Sequence, residues 1–253
     1  MPPAAAAPAQ TFEPGPAAPT PPLPAAAQAA QQPHLLRVLY VFAGQERKAD
    51  INFYLRSTEN LQLEISEIDV LRDPRAHDVT RQGVWSGIME SLAAGEWDVL
   101  VITPPCNTWS RLPWSSSPGP KPLRSRRHPW GFPWLTGPAL AKCTLGNSFV
   151  KQTFEAVLAA HGAGTKFLVE HPEDLGLTSA GGEPASIWML EELLAIHTST
   201  GAQTAALFQC SFGADYGKPT RLWSTLPQLA ELPHAGWPRF DAKGHYRGPL
   251  PAV

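Results

Sequence analysis

With 253 residues, a mass of 27.4 kDa and 43% hydrophobic residues, the chain can form one α/β domain with a buried core. Its formal net charge of −2 excludes the overall basic field that marks many nucleic-acid-binding proteins, so any such binding has to be local. No apolar run reaches membrane-spanning length and no signal or transit peptide is evident, which predicts a soluble, intracellular protein with no membrane partner.

Both ends of the sequence differ in composition from its middle. Residues 1–33 consist mainly of Ala, Pro and Gln, which bury too little apolar surface to offset the entropy of ordering, so they are predicted to be a disordered tail. Residues 227–253 are again rich in Pro and Gly and are predicted to be a C-terminal tail. The single predicted domain therefore spans residues 34–226.

Hydrophobic periodicity divides this domain into alternating strands and helices. In chain order it predicts a strand, a helix, a strand, a helix and a strand at 37–42, 45–55, 61–68, 85–94 and 97–103. After an irregular segment it predicts a helix, a strand, a helix and two strands at 140–160, 166–170, 186–197, 205–209 and 221–224. Such alternation indicates a Rossmann-like, doubly wound, mostly parallel sheet.

Reactive side chains follow the predicted strands at the edge where parallel sheets bind their ligands. Gly44 ends the first strand, and a glycine there lets a ligand approach the backbone closely. Glu67 and Asp69 end the second, where a carboxylate typically binds ribose hydroxyls. Cys106 and Glu170 follow two strands that we expect to be neighbours, so the thiol and the carboxyl group should converge on one pocket.

A thiol and a carboxyl group in one pocket suit a reaction at the cytosine ring. Carbon 5 of cytosine is not nucleophilic enough to take a methyl group until a thiolate has added at carbon 6. A carboxyl group bonded to ring nitrogen 3 then absorbs the charge that develops. The thiolate needs a lowered pKa, which nearby cations could provide, or a helix that begins just after Cys106 with Asn107, Thr108 or Ser110 as its cap.

The segment after Cys106 mixes cations with four tryptophans between residues 109 and 134. Cations bind phosphates and aromatic rings stack on bases, so the segment is a candidate nucleic-acid-binding loop. Its candidate residues are Arg111, Lys121, Arg124, Arg126 and Arg127. The alternative is a disordered Pro-rich insert with incidental charge. The three cysteines of the chain form no CxxC pair and no zinc spacing, so free thiols and no metal site are predicted.

These features resemble the DNA cytosine-5 methyltransferase family and follow its motif order. Residues 41–44 are similar to its first motif, which binds S-adenosylmethionine, and residues 67–69 to its ribose-binding motif. Residues 104–106 are similar to its nucleophile motif, and residues 212–221 to the late motif whose arginine supports the nucleophile and the base. Asp78 is similar to the aspartate that lies beside the adenine.

The resemblance implies a class I methyltransferase type of fold, S-adenosylmethionine as cofactor, and DNA as substrate with RNA or single-stranded DNA as alternatives. The catalytic residues it implies are Cys106, Glu170 and Arg221. The cofactor-binding residues it implies are Phe42, Ala43, Gly44, Glu67, Asp78 and Pro104. A DNA substrate would place the protein in the nucleus.

Two departures from the family pattern keep a second hypothesis open. Residues 45–48 (QERK) follow Gly44 where the family usually has further glycines, and no large target-recognition domain follows Arg221. The alternative is a catalytically degenerate methyltransferase fold that binds nucleic acid or protein. A third hypothesis is a module of a larger polyprotein, or a chain that needs a partner for target recognition.

Overall fold

The protein is described here from a computed structural model, which covers residues 34–114 and 118–251. Contacts between residues divide the chain into two units, Met1–Gln32 and Pro33–Val253, and all of the structure below belongs to the second unit. The predicted tail, residues 1–33, lies outside the described residues. None of the helices in the described part is long and apolar enough to cross a membrane.

A six-stranded, mostly parallel sheet forms the centre of the second unit. Its strands are β1 (His34–Val41), β2 (Leu61–Ile68), β3 (Val99–Ile102), β4 (Lys166–Pro172), β5 (Gln203–Phe208) and β6 (Pro219–Ser224). They lie in the order β2-β1-β3-β4-β6-β5, and β1 to β4 pair in parallel. β6 runs antiparallel to both of its neighbours, β4 and β5. The prediction of a mostly parallel α/β sheet is confirmed.

Four α-helices connect the strands: α1 (Ile51–Arg56), α2 (Gln82–Ala93), α3 (Gly137–Gly162) and α4 (Glu191–Thr200). The helix predicted at 45–55 begins late because Asp50 is its N-cap, accepting the Phe53 amide at 3.0 Å. The helix predicted at 186–197 is divided instead into a 3₁₀ turn, Ile187–Met189, and α4, because Leu190 between them is extended. Gly201, with φ 62°, ends α4.

The core lies between the central strands and the long helix α3. β3 and its neighbours are apolar runs because helices and loops cover them, as expected for the buried strands of a parallel sheet. Val150 and Val157 of α3 are fully buried against them. Each such side chain contributes roughly 1.5–3 kcal/mol relative to an exposed one, so this packing fixes the strand ends in place.

The segment predicted as a C-terminal tail packs against the sheet as far as residue 251. It begins with a 3₁₀ helix, Pro227–Glu231, after which the His234 carbonyl accepts the Ala206 amide of β5 at 3.0 Å. The rings of Trp237 and Trp188 meet at 6.4 Å, and Leu250 is buried. This segment therefore covers β5 and supplies part of the core.

Candidate active site

Cys106 lies in a bend that β3 and β1 hold in place. Thr103 follows β3, and its hydroxyl donates to the Phe42 carbonyl at 2.8 Å. After Pro104 and Pro105 the Cys106 carbonyl accepts the amides of Trp109 and Ser110, which makes one helical turn. The next regular element is only a short 3₁₀ helix, Leu112–Trp114. The prediction of a helix beginning after Cys106 is therefore wrong, and the cation beside the thiol comes from elsewhere.

That cation is Lys218, and it is bound to the second candidate residue, Glu170. The Lys218 ammonium donates to Glu170 Oε1 at 3.0 Å, and both side chains are largely buried. The Gln209 amide lies between the Thr220 hydroxyl at 3.1 Å and Glu170 Oε1 at 3.4 Å. Glu170 is therefore held by one cation and one amide.

Cys106, Lys218 and Glu170 influence one another electrostatically. Burial is the main reason why the pKa of Cys106 is raised; Lys218 opposes the increase and Glu170 adds to it. Burial alone would lower the pKa of Lys218, but Glu170 and the Cys106 sulfur outweigh it and the pKa is raised. At neutral pH the thiol therefore keeps its proton while the lysine stays charged.

A cavity of about 780 Å³ opens beside Cys106 and Lys218. Aromatic and hydroxyl-bearing residues form much of its wall, including Trp109, Trp114, Thr178, Ser186 and Tyr216. Volumes of this order are typical of sites that bind small molecules or single bases. The thiol therefore lies on the wall of a space large enough for a nucleobase.

Arg221, the third predicted catalytic residue, is not brought to this cavity. In the β4–β6 ladder Arg221 pairs with His171 and Leu222 pairs with Glu170, so Arg221 and Glu170 point to opposite faces of the sheet. The Arg221 guanidinium is fully buried and binds both oxygens of Glu173 at 2.7 and 2.8 Å. Tyr246 donates to the same carboxylate at 2.9 Å. The arrangement gives Arg221 a role in holding β6 to the segment after β4.

The first predicted cofactor residues form a tight turn after β1. Phe42 and Gly44 have φ angles of 62° and 73°, and Ala43 between them is buried. A positive φ at a phenylalanine is strained, and hydrogen bonds hold it: the Phe42 amide donates to the Ile68 carbonyl, and the Gly44 amide to Asp69 Oδ2, both at 2.8 Å. Asp69 thus shapes the turn at the end of β1.

Glu67 lies near the carboxyl end of β2, but the chain's own donors occupy it. Arg72 binds its two oxygens at 2.9 Å each, and Asn52 donates to one of them at 3.1 Å. Arg72 also donates to the Gly44 carbonyl at 2.7 Å. Asp78 is engaged as well, because it accepts both the amide and the hydroxyl of Thr80 in a local turn. Pro104 is buried next to Thr103.

The basic segment is neither a free cationic loop nor, where it is described, a disordered insert. Arg124 is only 1% exposed, and burial lowers its pKa to about 10. Its guanidinium lies 3.8 Å from the ring centroid of Trp109 and donates to Thr108 and Asn147. Every part of the guanidinium is used to fold the segment, so Arg124 does not present a free cation to nucleic acid.

Two more of the predicted nucleic-acid-binding residues are bound within the protein. Arg126 forms an ion pair with Asp174, with oxygens at 2.8 and 2.9 Å. Arg111 donates to the carbonyls of Leu175 and Leu177 at 3.0 Å each, which ties the loop to the segment after β4. Lys121 and Arg127 are exposed, so they are the predicted cations left for a ligand.

His171 is a buried histidine without a hydrogen-bond partner among the described residues. Neither of its ring nitrogens has a partner there, although the ring is fully buried and meets Trp188 edge-on at 6.2 Å. Burial, with Lys218 and Arg124 adding to it, lowers its pKa to about 3, so the imidazole is neutral. It lies beside Glu170 in sequence but points to the other face of the sheet.

Sequence reasoning missed Lys218 although it lies within the motif at residues 212–221. The missing information was the direction of β6. Because β6 is antiparallel to β4, it begins at the edge where the parallel strands end, and Lys218 immediately precedes it. The sequence showed a lysine shortly before a predicted strand, but no local pattern gave the direction of that strand.

Comparison with known proteins gave no match: no family model, no curated protein and no solved structure matches the chain. Within the part of the chain that is described, there is no group of three or more His, Cys, Asp or Glu side chains that could hold a metal ion. The functional argument therefore depends on the geometry of the site.

Proposed function

We propose that this protein is an S-adenosylmethionine-dependent methyltransferase that acts on carbon 5 of cytosine in DNA through a covalent adduct with Cys106. The observation that carries the proposal is the single ammonium, Lys218, that acts on both the thiol of Cys106 and the carboxylate of Glu170. The strand order, with antiparallel β6 between β4 and β5, supports a Rossmann-like fold of the class I methyltransferase type.

The residues at the β1–β2 edge have the chemistry that the cofactor requires. Glu67 supplies a carboxylate for ribose hydroxyls next to the turn of Phe42, Ala43 and Gly44, and Asp78 and Pro104 would complete the site. When bound, S-adenosylmethionine supplies an electrophilic methyl group. Arg72 has to release Glu67 for the carboxylate to accept hydroxyl groups, so cofactor binding includes an exchange of hydrogen bonds.

The chain's own groups account for activation of the base. The Cys106 thiol gives its proton to the Glu170 carboxylate as its sulfur forms a bond to carbon 6 of cytosine, and the electrons of the 5,6 double bond move to carbon 5 and toward ring nitrogen 3. Glu170, carrying a proton, stabilises nitrogen 3 by a hydrogen bond. Once that carboxyl group is neutral, Lys218 is released from its ion pair and stabilises the thiolate.

The same groups reverse their roles after carbon 5 has been methylated. Loss of the proton from carbon 5 to a base restores the ring double bond and expels the Cys106 thiolate. Lys218 stabilises this leaving thiolate as it stabilised the attacking one. The net change at the base is the replacement of one hydrogen by one methyl group, and the thiol is regenerated.

Transfer of a labelled methyl group from S-adenosylmethionine to cytosine-containing DNA tests the proposal. We expect transfer by the purified chain and loss of transfer to background in Cys106→Ser. Cys210→Ser is the matched control, because Cys210 is an exposed free cysteine outside the proposed site. Transfer that survives in Cys106→Ser would exclude the covalent mechanism.

One observation favours a second candidate, a degenerate methyltransferase fold that binds nucleic acid or protein. The Glu67 carboxylate is already satisfied by Arg72 and Asn52, as in a site that no longer binds a cofactor. Calorimetry with S-adenosylmethionine distinguishes the two candidates. Saturable binding supports the methyltransferase, whereas no heat of binding together with a DNA gel shift supports the binding module.

A further inference from the structure

The sequence around Cys106 carries an unbalanced positive charge. Between Asp98 and Glu155 there is no acidic residue, whereas seven lysines and arginines fall in that interval, although the whole chain has a net charge of −2. The structure folds this interval into the loop after β3 and the first half of α3. The loop after β3 and α3 therefore carry an excess of positive charge over this interval.

Internal contacts use only part of this charge. Arg111, Arg124 and Arg126 are bound to carbonyl groups, hydroxyl and amide oxygens and Asp174, as described above. Lys121 and Lys142 are exposed and form no hydrogen bond or ion pair with residues 34–114 and 118–251. These two ammonium groups are left for a ligand.

Lys121 and Lys142 line the same cavity, a space of about 300 Å³ that is separate from the one beside Lys218. Asn107, the residue directly after Cys106, lies on its wall. The remaining lining residues are neutral: Thr108, Pro113, Pro120, Leu123, Pro138 and Ala139. An anion there would meet two ammonium groups and an amide, with no carboxylate in the lining to repel it.

We propose that this cavity is a phosphate subsite, in which Lys121, Lys142 and Asn107 hold a backbone phosphate of the polynucleotide whose base enters at Cys106. The ligand class is a phosphodiester, since two flexible ammonium groups recognise the charge of the phosphate and do not distinguish between bases. The identification of the ligand as a polynucleotide rests on the proposed function. The charge, the cavity and its position beside the thiol do not.

The position of the subsite gives it a mechanistic role. Cys106 lines the larger cavity and Asn107 the smaller one, so two consecutive residues would contact the base and the phosphate. A phosphate held at Asn107 would fix the position of an extruded nucleotide relative to the thiol. Such anchoring supplies positional order for the base.

The test measures binding of a single-stranded, cytosine-containing oligonucleotide by fluorescence anisotropy over a series of salt concentrations. The protein is the full chain carrying Cys106→Ser, without cofactor, so that no chemistry contributes. The variants are Lys121→Gln, Lys142→Gln and their combination. Lys166→Gln is the matched control, because this exposed lysine begins β4 at the opposite edge of the sheet.

We expect each cavity variant to weaken binding and to reduce the slope of log affinity against log salt by about 1, with the double variant showing the larger loss. An oligonucleotide with abasic sugars should compete with the same lysine dependence, because the subsite contacts phosphate. Lys166→Gln should leave both the affinity and the slope unchanged.

Several results would overturn the subsite. These are an unchanged salt slope in the double variant, an equal loss in Lys166→Gln, or lysine-dependent binding of a polyglutamate peptide in place of the oligonucleotide. Failure of the proposed function has a different signature. Methyl transfer is measured separately on chains that keep Cys106, with S-adenosylmethionine present. Lysine-dependent binding without transfer by those chains keeps the subsite and rejects the methyltransferase, whereas transfer that is insensitive to both lysine variants does the reverse.

Discussion

The two halves of the sheet's carboxyl edge treat their acidic groups differently. At the β3–β4–β6 half, Glu170 is bound by Lys218, which also acts on the Cys106 thiol. Cys106 and Lys218 line a cavity of about 780 Å³, whereas Glu170, which we expected to reach the same pocket, is not among its lining residues. At the β1–β2 half, Glu67 is bound by both Arg72 and Asn52. The cation of the first half, Lys218, therefore acts on both Glu170 and the Cys106 thiol, whereas the donors of the second half are used to bind Glu67.

This difference shows that reactive residues at strand ends do not by themselves make a site ready for its ligand. In the proposed mechanism the thiol half needs one proton on Glu170 to release Lys218, and the Cys106 thiol supplies it. If the β1–β2 half binds a cofactor as proposed, a fork of two charge-assisted hydrogen bonds to Glu67 has to be replaced, which costs more. Under the proposed function, cofactor binding therefore needs the larger rearrangement.

Arg221 does not line the cavity beside Cys106, and its replacement should have the largest of the predicted effects, a loss of stability. Arg221→Ala leaves Glu173 buried without its cation, so we expect a loss of about 3–5 kcal/mol in the free energy of unfolding. Chemical denaturation measures this loss. Arg127→Ala, at an exposed arginine, should change stability by less than about 0.5 kcal/mol. An Arg221→Ala variant that is stable but inactive would instead indicate that Arg221 acts in catalysis together with Cys106.

The second prediction concerns the cofactor half. Arg72→Ala frees the Glu67 oxygens, so affinity for S-adenosylmethionine measured by calorimetry should increase about tenfold, since such bonds contribute roughly 1.5–3 kcal/mol. Glu67→Gln should weaken binding in the same assay. Weaker binding in Arg72→Ala would show that Arg72 supports the cofactor site instead of competing for it.

The smallest expected effect is on the titration of the thiol. Because Glu170 raises the pKa of Cys106 and Lys218 lowers it, Glu170→Gln should move the pH midpoint of Cys106 alkylation down and Lys218→Gln should move it up. Cys210→Ser is used as background so that the exposed Cys210 does not react, and Cys143 is buried. Shifts of this midpoint in the same direction in both variants would contradict the opposite effects of Glu170 and Lys218 on the thiol.

The sequence predicted the strand ends well and the interactions between distant segments poorly. β2 is found at the predicted residues 61–68, because alternation over eight residues is a local property. The pairing of Lys218 with Glu170 depends on the direction of β6, which no local pattern encodes. The position of Arg221 on the other face of the sheet follows from the register of the same strand pair.

The basic segment illustrates the same limit at the level of charge. Its composition correctly drew attention to cations near the thiol but did not distinguish those used for folding from those left exposed. Arg124 is buried because Trp109, Thr108 and Asn147 surround it, and those contacts join residues far apart in sequence. Lys142 was overlooked because it lies in α3, outside the segment where the cations and tryptophans are concentrated.

Trapping of the adduct tests most directly whether Cys106 is the nucleophile. An oligonucleotide with 5-fluorocytosine at the target position cannot lose a proton from carbon 5, so the thiol should remain bonded to carbon 6 after methylation. With S-adenosylmethionine present, intact-mass spectrometry should show one oligonucleotide bound to the wild-type chain, mapped to Cys106, and none bound to Cys106→Ser. An adduct that persists in Cys106→Ser or maps to another residue would contradict the assignment.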